Sequence, residues 1–119
     1  MASRSHIDAW FKEESINSGL YFAMARRAEE EGDPEIAASL RHIAEEKIDN
    51  AAVLAELAGK IGDTKDNLAA MLESEDETAK TLRAEAKNAT EEENMEFLKI
   101  ADDKDRHAGA LRGILSRFE

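Results

Sequence analysis

The segment EEEGDPE, residues 29–35, decides how this chain folds. Gly32 can take the left-handed conformation that closes a helix. Asp33 has the side chain of an N-cap, and Pro34 suits the first turn of a new helix. One helix therefore stops and another starts within a few residues. Two further breaks have the same character. GKIGDTKDN, residues 59–67, ends a second helix near Gly62 and offers Asp63 or Thr64 as the next cap. ATEEE, residues 89–93, sets Thr90 and Glu93 at capping-box spacing. The expected helices are 6–31, 34–61, 64–89 and 91–117. Each is roughly 25 residues, or about 38 Å at 1.5 Å per residue. Short connections make neighbouring helices antiparallel. The expected fold is all-α, an up-down-up-down four-helix bundle forming one domain over 1–119.

Composition agrees. The 119 residues include one proline and no cysteine, and they are rich in strong helix formers. Without cysteine there are no disulfides, thiolate metal sites or cysteine nucleophiles. A net charge of -11 repels nucleic acid and anionic lipid, so neither is an expected partner. The N-terminal residues have no apolar run of the signal-peptide kind, and no stretch is long and apolar enough to cross a bilayer. The expected location is the cytoplasm.

Alternating steps of three and four trace one inward seam on each helix. The first runs through Ile7, Phe11, Glu14, Ser18, Tyr21, Ala25 and Ala28. The second runs through Ile36, Leu40, Ile43, Lys47, Asn50, Leu54, Leu57 and Ile61. The third runs through Leu68, Leu72, Glu75, Ala79, Leu82, Ala86 and Ala89. The fourth runs through Phe97, Ile100, Lys104, His107, Leu111, Ile114 and Phe118. Every seam turns polar near its middle, at Glu14, Lys47 with Asn50, Glu75, and Lys104 with His107. IAEEKIDNA (43–51) and IADDKDRHA (100–108) repeat one outline, so the two halves form a weak internal repeat. A pseudo-two-fold relation would bring the two half-sites together. An isolated buried ion costs several kcal/mol, so two lysines at equivalent places point to a compensated Glu/Lys cluster.

With these features in place, the chain resembles the rubrerythrin branch of the ferritin-like superfamily over nearly its whole length. The resemblance rests on FKEES (11–15), YFAMARRAEEEGDPEIAASL (21–40), GDTKDNLAAMLESE (62–75) and IADDKDRHAGALRGILSRF (100–118). It implies a four-helix bundle, usually dimeric, with a di-iron or related carboxylate site and peroxidase or oxidase activity. It further implies a Glu on the first helix, Glu-x-x-His on the second, Glu on the third with a second often three residues later, and Glu-x-x-His on the fourth. Glu14, Glu75 and His107 match that set. Lys47 and Lys104 stand where both Glu-x-x-His glutamates belong, Asn50 replaces a histidine, and Thr78 holds the extra glutamate position. The cysteine-rich rubredoxin domain common in the family is absent from these residues.

An ammonium has no lone pair for a metal. The expectation is therefore a metal-free structural or interaction protein, homodimeric, with no cofactor and no catalytic residue assigned. Its degenerate-site cluster is Glu14, Lys47, Asn50, Glu75, Lys104, His107 and Tyr21. The alternative is an oxidoreductase holding iron or another divalent metal through Glu14, Glu75 and His107. A third possibility is a lysine base or nucleophile. Tyr21 is expected to hydrogen-bond a buried Glu, Trp10 to lie at a bundle edge or dimer contact, and His6 and His42 to be solvated.

Overall fold

The computed structural model describes residues 3–119. It contains four α-helices: α1 Arg4–Glu30, α2 Pro34–Leu57, α3 Thr64–Ala86 and α4 Glu91–Leu115, followed by a 3-10 turn at Ser116–Phe118. No strand occurs among the described residues, and the chain is all-α as the composition requires. It divides into two compact units, Met1–Ile61 and Gly62–Glu119, each a helical hairpin of the antiparallel kind from which up-down bundles are made.

Local signals place the helix ends. Ser3 caps α1 by accepting from the His6 amide, Asp33 caps α2 through the Ile36 amide, and Asp63 caps α3 through the Asp66 amide. Thr90 and Glu93 form the full reciprocal capping box at the start of α4. Gly32, at φ 81°, closes α1 as anticipated; the Asp33 amide reaches back to the Ala28 carbonyl. The end of α2 differs from expectation. Gly59, at φ 72°, and not Gly62, takes the left-handed position, and the Lys60 amide bonds the Ala55 carbonyl. The helix therefore stops at Leu57 and leaves Ile61 outside it. The Arg4 guanidinium donates to the Ala58 carbonyl, covering a helix end that would otherwise lack partners. The third helix also stops early, at Ala86, where the Asn94 side-chain amide caps the freed carbonyl at 2.9 Å.

Ion pairs give the direction of packing. In the first hairpin, Asp8, Glu14 and Glu29 meet Lys60, Lys47 and Arg41, in ascending order on α1 and in descending order from the turn after α2 back along that helix. In the second, Asp76 meets Arg112, while Arg83 bridges Asp102 and Asp105. Both hairpins are thus antiparallel.

The seams on α1 and α3 fall where the heptad reading places them. Ser18, Ala25, Ala28, Ala79 and Ala86 are buried, and the larger seam residues around them are partly buried. The seams on α2 and α4 are displaced by one residue at alternate positions. The residues buried between helices are Ala37, Ala44, Ala51 and Ala55 on α2, Ala58 just past its end, and Ala101 and Ala108 on α4. Ile36, Ile43, Leu57, Ile100 and Ile114, each one position before an alanine or a leucine of the seam, remain exposed. The reason is steric. Two helices packed along alanines approach more closely than isoleucine would permit, so the bulkier row turns to the adjoining face. Among the described residues no large side chain is fully buried.

Candidate functional site

The polar breaks in the seams become two contacts of the same design, one in each hairpin. In the first, Lys47 Nζ on α2 lies 2.8 Å from Glu14 Oε1 on α1, and Asn50 Nδ2 donates to Glu14 Oε2 at 3.1 Å. In the second, Lys104 Nζ on α4 lies 3.3 Å from Glu75 Oε2 on α3, and His107 Nδ1 lies 3.4 Å from the same oxygen. The i, i+3 step sets each lysine and its companion on one helix face, so both reach across to a single carboxylate.

The correspondence extends along the whole seam. Phe11, Glu14, Ser18, Tyr21 and Ala25 are matched by Leu72, Glu75, Ala79, Leu82 and Ala86. Leu40, Ala44, Lys47, Ala51 and Leu54 are matched by Phe97, Ala101, Lys104, Ala108 and Leu111. Burial follows the same pattern at nearly every pair. Even exposure of the central pairs agrees: the side chains of Lys47 and Glu14 are 29% and 16% exposed, those of Lys104 and Glu75 31% and 17%. The internal repeat seen in the sequence is therefore a repeat of structure.

These charges are half-buried and not enclosed. Each lysine side chain keeps part of its surface in solvent, which lowers the desolvation that full burial would impose. Asn50 and His107 are exposed. Among the described residues no three His, Asp or Glu side chains gather in a group able to hold a metal ion.

Electrostatics follow from the contacts. Hydrogen bonds from Lys47 and then Asn50 hold the Glu14 carboxyl below its ordinary range, against a smaller opposing effect of desolvation. The Glu14 carboxylate pushes the Lys47 ammonium above its ordinary value. A lysine base or nucleophile needs the opposite shift, so the Glu14 contact works against that chemistry at Lys47. Tyr21 is partly buried on the same seam; the partners of Glu14 are Lys47 and Asn50 and not, as anticipated, Tyr21.

The remaining candidates lie apart. Trp10 is exposed and stacks on His6 with ring centroids 5.7 Å apart. With Glu13, Glu14, Asn50, Val53 and Leu54 it lines an open groove of about 360 Å³ beside the first contact. His42 pairs with Glu46 at 2.7 Å on the outside of α2. Thr78 makes no carboxylate contribution, as its chemistry dictates. Sequence reasoning passed over the alanine heptad Ala37, Ala44, Ala51 and Ala58, a signal visible in the spacing alone. It also passed over Arg83, whose two acidic partners lie three residues apart on α4.

Comparison with known proteins finds relatives of this chain. No family model matches the chain. No solved structure matches it. An uncharacterized protein of Methanocaldococcus jannaschii is 39% identical over 117 residues, covering 94% of this chain and 83% of that protein. Reverse rubrerythrin-1 of Clostridium acetobutylicum is 36% identical over 114 residues, covering 91% of this chain. The chain spans 63% of the length of that clostridial protein. The chain thus belongs to one family with the M. jannaschii protein and stands in a rubrerythrin-like relationship to the clostridial one.

Proposed function

We propose that this is a rubrerythrin-like helical protein in which lysine ammonium groups take the role that metal ions play in the family it resembles. It acts as a structural or interaction protein, as a homodimer in the cytoplasm, and needs no cofactor. The observation that carries this reading is the pairing of Lys47 with Glu14 and of Lys104 with Glu75 at equivalent positions of two hairpins. Two irons at these positions need anionic or neutral donors from both helices of each hairpin. The donors present do not fit that need. Each lysine brings a positive charge where a carboxylate is required, and its N–H groups occupy the lone pairs a metal would use.

A second reading keeps oxidoreductase activity on one divalent metal held by Glu14, Glu75 and His107. Its support is that Glu75 and His107 remain within 3.4 Å of one another, both with lone pairs suited to such an ion.

Metal analysis separates the two. Purified protein incubated with ferrous iron and with manganese, then desalted, is expected to retain metal well below stoichiometric amounts and to turn over no peroxide. Stoichiometric metal that disappears in both Glu14→Gln and Glu75→Gln would overturn the ammonium reading. Peroxide turnover abolished by His107→Ala would establish the second.

A further inference from the structure

We draw no further inference here: the strongest candidate, the apolar face of the first hairpin that carries Trp10, Leu20, Met24, Ile43 and Val53 around the Glu14–Asn50 contact, adjoins the site already described, and nothing in the structure shows what covers it.

Discussion

The two hairpins carry the same contact with different chemistry at its edge. In the first, Lys47 and Asn50 each take a separate oxygen of Glu14, at 2.8 and 3.1 Å. In the second, Lys104 and His107 approach one oxygen of Glu75, at 3.3 and 3.4 Å. Asparagine offers a neutral donor at every pH, so the first carboxylate is held at both ends by fixed hydrogen-bonding partners. Histidine offers a donor or an acceptor according to tautomer and charge, and when protonated it crowds a second cation onto the oxygen that Lys104 already faces. The comparison shows which part of the repeat is shared. The Glu–Lys pair is kept, and the third member varies.

The largest expected effect comes from reversing the substitution in both hairpins at once. Lys47→Glu, Asn50→His and Lys104→Glu together replace two cations by two carboxylates and restore Glu-x-x-His on α2 and α4. The triple variant should bind iron at near-stoichiometric levels where the parent binds little, as read by elemental analysis after desalting. A folded triple variant that binds none would show that these positions do not build the metal site that the resemblance implies.

Overpacking the alanine seam tests the structural half of the comparison. Ala44 and Ala101 are matched positions, and both are fully buried. Ala44→Leu and Ala101→Leu should each destabilise by about 1–3 kcal/mol, because the close helix approach leaves no room for a larger side chain. Similar losses in thermal or urea unfolding support equivalence. A cost at one position and none at the other would break it.

A smaller change is expected at the start of α4. Thr90→Ala removes one arm of the capping box and should destabilise by about 1 kcal/mol. Asp33→Ala, which removes the cap of α2, should cost about as much. Equal effects would indicate that both second helices depend on their caps to the same degree.

These effects also show what the amino-acid sequence made legible. Caps and glycines are local, so Asp33, Thr90 and Gly32 could be assigned from neighbouring residues, and the cap of α3 was narrowed to Asp63 or Thr64. The seams of α1 and α3 were legible because their buried small residues, Ser18, Ala25, Ala28, Ala79 and Ala86, lie in the same row as the larger apolar residues. On α2 and α4 two adjacent rows compete, one of alanine and one of isoleucine. Hydrophobicity alone favours isoleucine, whereas close helix approach selects alanine. The end of α2 was ambiguous because Gly59 and Gly62 both suit a C-terminal position, and only backbone geometry shows which is left-handed. The lysines were legible as seam residues facing a glutamate. Their half-buried state was not, since it depends on how closely the two helices approach.

The pH dependence is the subtlest contrast. Glu14 is depressed in the folded chain, so its contribution is present above the unfolded carboxylate value near 4.5 and is lost as pH falls through the lower folded value. Lys47 is raised, so its contribution is present below 10.5 and is lost as pH rises through the higher folded value. The pair therefore stabilises the first hairpin between these limits. Glu14→Gln should flatten the acid limb of the stability profile, read by urea unfolding at a series of pH values.

The central claim is that the Lys47 ammonium is held by the Glu14 carboxylate in place of a metal. Carbon-detected NMR titration of the Glu14 side-chain carboxyl, in the parent and in Lys47→Met, tests it most directly. The expected midpoint lies below the ordinary carboxylate range in the parent and returns toward that range in the variant. An ordinary midpoint in the parent, or a low one that survives loss of Lys47, would contradict it.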